Sequence, residues 1–284
     1  MAKLLEGKKA AAALKEKQAA SVKELQAKGI TPKLAVIRVG ERAEDISYEK
    51  GAIKRCEAVG VSAEVTALPA EAAQDELLAL IDRVNRDKSI HGALLFRPLP
   101  KHMDIEIVRN ALSVEKDIDG IGDLSLAGVF TGNINRFAPC TAHACMEILD
   151  FYGYRPEGKR VTVIGRSLVI GRPIAMMLMS ANATVTICHT RTADIPEACR
   201  AAEIIIAAAG KAGVVGKDCF SPGQVVIDVG INFDENGKIR GDVDFEAAEP
   251  IVAAITPVPG GVGAVTSALL AGHVITAAQR AVIG

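Results

Sequence analysis

Short apolar runs that end near glycine alternate with amphipathic helical patterns along most of the chain. In its first third, strand-like runs at 34–40, 62–68 and 92–96 alternate with helical patterns at 47–59 and 71–86. Strands and helices that alternate in this way form a parallel sheet with helices packed on it. The sequence therefore predicts an α/β fold.

A second series of the same kind follows a helical pattern at 141–152. Strands are predicted at 160–165, 183–189, 203–209, 224–230 and near 253–255. Helices at 4–28 and about 266–282 open and close the chain, and the Gly-, Asn- and Asp-rich residues 117–139 are expected to be an irregular connection. At about 150 residues per domain, a chain of 284 residues is predicted to form two domains.

Composition and charge argue against several classes of protein. Lys and Arg total 33 against 34 Asp and Glu, and aromatic residues make up only 4%, which argues against a nucleic-acid binder. A 49% apolar fraction excludes a disordered chain. We expect no signal peptide, because residues 1–9 run into a Lys/Ala/Glu helix pattern rather than an apolar core and cleavage site. We expect no transmembrane helix, because we find no run of about 18 apolar residues. The six cysteines contain no Cys-x-x-Cys pair, which is typical of reduced thiols in a cytoplasmic protein.

Residues 161–173 are the most informative local stretch. They read Val-Thr-Val-Ile-Gly-Arg-Ser-Leu-Val-Ile-Gly-Arg-Pro, so that a strand enters a turn at Gly165 and a helix opens after Gly171. Such a turn directs backbone N–H groups and a helix N-terminus at an anion, typically a pyrophosphate. A plain tight turn between a strand and a helix is the alternative.

The end of the next strand indicates which dinucleotide would bind. An NAD site usually carries an acidic residue there, whereas residues 188–192 read Cys-His-Thr-Arg-Thr. Arg166, Thr190 and Arg191 could hold a 2′-phosphate by charge-assisted hydrogen bonds, which favours NADP over NAD. Alternatively, Arg191 is a solvated charge at the strand end. His189 has no acid or nucleophile near it in sequence and is interpreted as structural.

Four motifs, taken together, resemble a known family. They are Glu-Lys-Asp-Ile-Asp-Gly at 115–120, Pro-Cys-Thr at 139–141, Gly-Arg-Ser at 165–167 and Thr-Pro-Val-Pro-Gly-Gly-Val-Gly at 256–263. With these motifs the chain resembles the bifunctional methylenetetrahydrofolate dehydrogenase/methenyltetrahydrofolate cyclohydrolase family over essentially its whole length.

The resemblance implies two α/β domains with a cleft between them, the second a Rossmann-like parallel sheet. Residues 1–140 would form the folate domain, joined by the C-terminal helix 266–284, and residues 141–265 the NADP-binding domain. The family oxidises 5,10-methylenetetrahydrofolate with NAD(P)+ and hydrolyses the methenyl product to 10-formyltetrahydrofolate. The resemblance further implies that the protein forms a homodimer and that its chemistry needs no metal.

The resemblance also assigns site residues. Tyr48 would border the folate rings, Asp119 would accept hydrogen bonds from the pterin, and a loop would line the folate pocket. That loop contains Pro259, Gly260 and Gly261. The dinucleotide would contact Gly165, Arg166, Ser167, Thr190, Arg191 and Ile231.

The sequence departs from the family pattern on the folate side. Where the family has a catalytic Lys four residues after the Tyr, this chain has Ala52. Lys50 and Lys54 lie about 160° and 120° around an ideal helix from Tyr48. With Arg97, they are the candidates for the catalytic acid–base role. Phe96 stands at the place of the family's Gln, and Ala-Val at 264–265 replaces Pro-Met.

These departures affect the two activities differently. Hydride transfer needs positioning of substrate and cofactor, whereas hydrolysis of the methenyl bridge needs general acid–base help. Losing the Lys should therefore hurt the cyclohydrolase more than the dehydrogenase. A monofunctional dehydrogenase is the nearest alternative. A catalytically silent folate- or nucleotide-binding protein and another NADP-linked reductase are the others.

Overall fold

The computed structural model describes residues 1–133 and 135–283. They form two compact units. The six-stranded unit comprises Met1–Ala12 and Thr141–Thr266, and the three-stranded unit comprises Ala13–Cys140 and the residues from Ser267 onward. Each unit is therefore discontinuous in sequence.

Helices and strands alternate from the start of the chain. The elements of the first half are β1 (Lys3–Leu4), α1 (Gly7–Ala27), β2 (Lys33–Val39), α2 (Ala43–Glu57), β3 (Ser62–Leu68), α3 (Gln74–Arg86), β4 (Gly92–Leu95), α4 (Ile105–Ala111), α5 (Asp123–Thr131) and α6 (Cys140–Phe151). Those of the second half are β5 (Arg160–Ile164), α7 (Gly171–Ser180), β6 (Thr184–Cys188), α8 (Ile195–Arg200), β7 (Ile204–Ala207), β8 (Val225–Asp228), β9 (Asn232–Phe233), β10 (Ile239–Arg240), α9 (Phe245–Ala248), β11 (Ala254–Ile255) and α10 (Val262–Ile283). A 3₁₀ turn spans Lys217–Cys219.

The six-stranded unit is built on a parallel sheet with the order β1-β11-β8-β7-β5-β6. Its central strands β7 and β8 are buried along their whole length, which explains their uninterrupted apolar sequences. From β5 the chain moves first to β6 on one side and then to β7 on the other. The predicted Rossmann-like parallel sheet is confirmed, with its topological switch between β5 and β7.

The first residues of the chain complete this sheet. Lys3 pairs with Ala254 and Leu4 with Ile255, so that β1 is the edge strand next to β11. Residues 1–12 consequently lie in the six-stranded unit, whereas the sequence-based boundaries placed them with residues 13–140. Residues 4–28 were predicted as one helix because a two-residue strand is too short to show an alternating pattern.

The three-stranded unit contains a parallel sheet with the order β3-β2-β4. Helix α3 buries Leu77, Ile81 and Val84 in a core that also contains Ile37 and Leu95 from the sheet. Burial of this apolar face fits the amphipathic pattern that predicted the helix. A second apolar core of this unit includes residues of α2, α10 and β4.

Several elements escaped the sequence analysis. The predicted irregular connection 117–139 contains α5, so this prediction was wrong for Asp123–Thr131. The apolar residues of α5 are not segregated on one face, and no helical periodicity marks it. It ends at Gly132, whose φ of 70° and N–H bond to the Gly128 carbonyl close the last turn. The short elements α4, α8, α9 and the β9–β10 hairpin were also missed.

The sequence analysis predicts no transmembrane helix, yet α10 resembles one in length and composition. The segment Val262–Val282 has a mean hydropathy of 1.3, and by length and composition alone it could cross a membrane. Within the protein 61% of it is buried, and Leu270, Val274 and Ala278 lie in the second core of the three-stranded unit. A core helix of a globular unit has this same composition.

Candidate functional site

The carboxyl ends of the strands in the six-stranded unit form one edge. The Gly165 N–H donates to Cys188 O at 2.9 Å, and the Ala208 N–H donates to Ile164 O at 2.8 Å. The residues that follow β5, β6 and β7 are thereby placed side by side. Ligands of open α/β sheets bind at this edge, near the topological switch.

At the switch, the backbone segments approach too closely for side chains. A Cβ on Gly165, whose φ is 121°, would lie 2.0 Å from Ala208 O, and one on Gly171 would lie 2.2 Å from Gly165 O. Gly171 begins α7, and the Ser167 hydroxyl accepts a hydrogen bond from the Ile170 N–H at 3.1 Å. This glycine turn before a helix N-terminus fits the pyrophosphate of a dinucleotide.

Three predicted side chains surround this turn. Arg166 follows β5, while Thr190 and Arg191 follow the adjacent β6, and all three are exposed. The Arg191 N–H donates to His189 Nδ1 at 3.1 Å, so that His189 holds the turn, in keeping with its structural interpretation. Two cations and a hydroxyl on neighbouring strand ends fit a 2′-phosphate.

Two aspartates that sequence reasoning missed support the next loops. The Asp242 carboxylate accepts hydrogen bonds from the N–H groups of three consecutive residues, beginning with Ala209 at 2.6 Å. Asp228 accepts from the N–H groups of Gly230, Asp242 and Val243. Burial raises the pKa of Asp228 to about 6, against the opposing effect of these hydrogen bonds.

The predicted contact Ile231 follows this supported segment after β8. Its side chain is 64% exposed, so it is available to a ligand at the strand ends. The signal that could have found the aspartates was the Gly-Asp-Val sequence at 241–243, where Gly241 leaves no space for a Cβ beside Asp228.

The loop after β11 contains the predicted pocket residues Pro259, Gly260 and Gly261. The Gly7 N–H donates to Gly260 O at 2.9 Å, which fixes the loop to the start of α1. A Cβ on Gly261 would lie 2.6 Å from Pro257 O. Because its glycines have no side chain, a ligand can approach the backbone of this loop closely.

The three-stranded unit brings together a second group of predicted residues. The rings of Tyr48 on α2 and Phe96 after β4 lie edge to face with centroids 5.8 Å apart. The guanidinium of Arg97 donates to Asp119 Oδ2 at 3.1 Å. The structure thus places Tyr48, Arg97 and Asp119 at one site.

Opposing effects act on the pKa of the Asp119 carboxylate. Burial raises its pKa to about 6, while the charge of Arg97 and a hydrogen bond from the Cys140 thiol lower it. Neighbouring Asp117 anchors the segment by accepting from the Ile121 and Gly122 N–H groups at 3.0 and 2.8 Å. Asp119 is therefore an anion near neutral pH and can accept hydrogen bonds from a ligand.

Burial of the Tyr48 hydroxyl and the charge of Asp119 raise the pKa of Tyr48 above its ordinary value. The hydroxyl stays protonated and can donate a hydrogen bond.

The candidates for the missing acid–base group differ in position. Lys50 and Lys54 are exposed on α2, and within residues 1–133 and 135–283 neither side chain forms an ion pair. Ala52 is only 2% exposed and lies in the same apolar core as Phe96. Of the three candidates, Arg97 alone contacts Asp119 in this part of the chain.

Sequence reasoning also missed a cation on the Tyr48 face of α2. Arg55 is seven residues after Tyr48, about 20° around an ideal helix. Its positive charge lowers the pKa of Tyr48, against the larger effect of burial. Arg55 comes directly after Lys54 in the sequence, so its place on the Tyr48 face follows from the same helix rotation, taken one residue further.

Both units match known domains. Residues 5–119 match the model of the tetrahydrofolate dehydrogenase/cyclohydrolase catalytic domain, and residues 139–282 match that of the NAD(P)-binding domain of the same enzymes. The chain belongs to the tetrahydrofolate dehydrogenase/cyclohydrolase family. The resemblance drawn from the four motifs is therefore confirmed, and the glycine turn at Gly165 lies within an NAD(P)-binding domain.

Relatives in this family match along almost the whole chain. The bifunctional protein FolD of Carboxydothermus hydrogenoformans is 49% identical over 281 residues, 98% of each chain, and that of Clostridium botulinum is 44% identical over 280 residues. The bifunctional enzyme FolD, a methylenetetrahydrofolate dehydrogenase/cyclohydrolase from Campylobacter jejuni, superposes with a TM-score of 0.96 at 40% identity over 99% of each chain.

A further solved structure of the family includes a cofactor. The Trypanosoma brucei enzyme, complexed with NADP and an inhibitor, superposes with a TM-score of 0.94 at 34% identity. The match covers 100% of this chain and 99% of that one.

Proposed function

We propose that this protein oxidises 5,10-methylenetetrahydrofolate to 5,10-methenyltetrahydrofolate with NADP+, and that its cyclohydrolase activity is weak. The observation that carries this proposal is the contrast between the residues of the six-stranded unit and those of the three-stranded unit. The glycine turn and its cations fit a dinucleotide, whereas Ala52 and Phe96 put apolar side chains where hydrolysis needs polar ones. Family membership supports a folate substrate.

On the nucleotide side, each group has a binding role. The turn at Gly165 and Ser167 and the N-terminus of α7 bind the pyrophosphate, and Arg166, Thr190 and Arg191 bind the 2′-phosphate. Ile231 borders the dinucleotide at the end of β8. When bound, NADP+ supplies the acceptor for the hydride that leaves the methylene carbon.

On the folate side, the chain binds and orients the substrate. Asp119 accepts N–H hydrogen bonds from the pterin, and Tyr48 borders its rings. The loop with Pro259, Gly260 and Gly261 lines the pocket with backbone. Holding the reacting carbon in place is what hydride transfer requires of these groups.

Hydrolysis of the methenyl bridge makes a further demand. Water must lose a proton as it attacks, and a ring nitrogen must gain one as it leaves. Arg97, Lys50 and Lys54 remain the candidates for residual acid–base catalysis. Arg97 is a poor proton donor because a guanidinium stays charged at neutral pH, which supports a weak cyclohydrolase.

The proposal extends to assembly and location. We propose a cytoplasmic homodimer that binds neither nucleic acid nor membrane. An exposed edge strand, β6 with Ile187 37% exposed, supports association through the six-stranded unit. Light scattering on the purified protein tests the dimer, and a monomeric mass would contradict it.

The decisive experiment supplies 5,10-methylenetetrahydrofolate with NADP+ or NAD+ in separate runs. Reduced cofactor and methenyltetrahydrofolate are followed together, and authentic methenyl compound without enzyme gives the spontaneous rate of hydrolysis. We expect reduced cofactor with NADP+ and methenyl compound that decays little faster than spontaneously. No reduced cofactor despite tight NADP binding would support the silent binding protein instead.

A further inference from the structure

The guanidinium of Arg97 lies beside the carboxylate that binds the pterin in the proposed function, and a guanidinium is better suited to donating hydrogen bonds than to moving protons. It donates to Asp119 Oδ2 at 3.1 Å. A guanidinium carries five N–H donors, and within residues 1–133 and 135–283 this is the single hydrogen bond of the Arg97 side chain. Its remaining donors are therefore available to a ligand.

The residue before Arg97 places the ion pair at the edge of an apolar core. The Phe96 N–H donates to Ile37 O at 2.9 Å, which extends the pairing of β4 with β2 by one residue. The Phe96 side chain is buried in the second core together with Ala52. In contrast, the Arg97 side chain is 27% exposed and that of Asp119 is 22% exposed. A ligand can therefore reach both members of the pair.

The segment that carries Asp119 is held in place separately. The Ala93 N–H of β4 donates to Lys116 O at 2.8 Å, and the Asp117 carboxylate accepts from the Ser125 hydroxyl at 2.6 Å. These contacts fix the backbone beside Asp119 without using its carboxylate. The donor and the acceptor are thus positioned before a ligand binds, which lowers the entropic cost of binding.

The pair offers a ligand a donor next to an acceptor. An ionised carboxylate has sites for about four hydrogen bonds, so Asp119 can accept from a ligand while it holds Arg97. Because the two charges compensate each other, the pair suits a neutral group better than an ion. The neutral group that matches it is a lactam edge, in which an N–H stands next to a C=O. The pterin of folate has such an edge, formed by its 2-amino group, N3–H and C4 carbonyl.

We propose that Arg97 is a specificity-determining residue for the folate ring: its guanidinium donates to the C4 carbonyl oxygen of the pterin while Asp119 accepts from N3–H and the 2-amino group, so that the ion pair selects 4-oxo over 4-amino pterins. With an amino group at C4, a donor would face a donor, and N3 would lose the hydrogen that Asp119 accepts. This inference rests on the proposed function, since it takes Asp119 as the pterin-binding group.

The first test compares two ligands that differ only at C4. They are 5,10-dideazatetrahydrofolate, which keeps the reduced 4-oxo ring and cannot react, and its 4-amino-4-deoxy counterpart. Calorimetry gives the Kd of each for the unsubstituted protein, and we expect the 4-oxo ligand to bind more tightly by at least about tenfold. The measurements are made well above the Asp119 pKa of about 6, so that its carboxylate is ionised in every variant.

Arg97→Met assigns this preference to the guanidinium, because it removes the donors and keeps an unbranched side chain. We expect the Kd of the 4-oxo ligand to rise by about ten- to a hundredfold and that of the 4-amino ligand not to rise. The preference should shrink by the same factor. Arg86→Met is the matched control: it breaks an exposed ion pair with Asp82 on α3, before β4 begins, and should change neither Kd.

Equal Kd values for the two ligands in the unsubstituted protein would overturn the proposal without any variant. So would an Arg97→Met protein that loses both ligands equally, because a guanidinium that only maintains the site does not distinguish oxygen from an amino group at C4. If the unsubstituted protein neither binds the 4-oxo ligand nor oxidises methylenetetrahydrofolate, the proposed function fails as well. If it oxidises methylenetetrahydrofolate but shows no preference, the role of Arg97 alone fails.

A second measurement locates the contact on the ring. The C4=O stretching band of the bound 4-oxo ligand is identified in the infrared spectrum by carbon-13 labelling at C4. A charge-assisted hydrogen bond lowers the frequency of this band, so we expect it to move to higher frequency in Arg97→Met. A band at the same frequency in both proteins would show that the guanidinium contacts another atom of the ring, and would overturn the assignment to the C4 oxygen.

Discussion

The guanidinium of Arg97 lies 3.1 Å from the Asp119 carboxylate, at a site whose nearby positions Ala52 and Phe96 are apolar. An ion pair of this kind, partly buried, retains the negative charge that burial would otherwise suppress. The cation next to Asp119 is thus a guanidinium rather than the ammonium of a lysine.

Arg97→Gln should shift the pH dependence of folate use. In the function proposed above, Asp119 binds folate in its ionised form, so kcat/KM for methylenetetrahydrofolate should fall as pH drops through about 6. Without the cation the pKa of Asp119 rises, so the fall should begin at higher pH, and kcat/KM on the acid side should be about tenfold lower if the pKa rises by one. Kinetics across this pH range check it. Arg86→Gln, at an exposed ion pair with Asp82, is the control and should leave the profile unchanged.

Ala52→Lys should increase hydrolysis of methenyltetrahydrofolate. The new amine would lie one helical turn after Tyr48, where general acid–base help is worth about 10²–10⁴-fold when well placed. Because Ala52 is 2% exposed, we also expect a loss of about 1–3 kcal/mol in the free energy of unfolding.

The matched control for this variant is Gly51→Lys, which adds the same charge at an exposed position with open space around it. Equal rates in the two lysine variants would contradict the geometric argument. Lys50→Ala and Lys54→Ala should leave hydrolysis unchanged, and a loss in either would identify the residual acid–base group.

Arg191→Ala should weaken NADP binding and leave NAD binding unchanged. A charge-assisted hydrogen bond to a 2′-phosphate contributes about 1.5–3 kcal/mol, so the Kd for NADP should rise by roughly ten- to a hundredfold. Calorimetry with both nucleotides measures the difference. Arg155→Ala removes an exposed arginine that precedes β5, at the opposite end of that strand, and should alter neither Kd. An equal loss for NAD would show that Arg191 does not read the 2′-phosphate.

Asp242→Asn should destabilise the six-stranded unit and weaken NADP binding. Three backbone N–H groups share this carboxylate, and an amide offers them one oxygen and an opposing NH₂ group. We expect the free energy of unfolding in urea to drop by about 1–3 kcal/mol. Asp244→Asn is the control, because Asn caps α9 as well as Asp does. If both variants unfold alike, the three hydrogen bonds contribute nothing specific.

Sequence alone predicted most of this fold for a physical reason. Strands such as β7 and β8 are buried throughout, so their apolar runs are unmistakable, and the glycine stops mark the turns that follow them. β1 could not be predicted, because its two residues acquire a strand conformation only by pairing with β11. Helix α5 lacks the one-sided apolar pattern on which helix prediction depends.

The candidate site was predictable in its parts but not in its contacts. The strand-end turn at Gly165 follows from local spacing. The position of Arg55 on the Tyr48 face of α2 follows from the rotation of an ideal helix. Arg97 and Asp119 are 22 residues apart in the sequence. They meet because the segment around Asp117 returns to lie beside β4, where Asp117 pairs with Ala93. No periodic pattern encodes that arrangement.

The pairing of β1 with β11 also governs the order in which the protein can mature. Lys3 pairs with Ala254, which lies far later in the sequence, so β1 leaves the ribosome long before β11 and waits without that partner while the intervening residues are made. During that time β8 lacks the neighbour that β11 later provides and exposes unpaired N–H and C=O groups. The nucleotide-binding unit is therefore completed only after residue 255 has left the ribosome, and a truncation before that point would damage the fold at the opposite end of the chain.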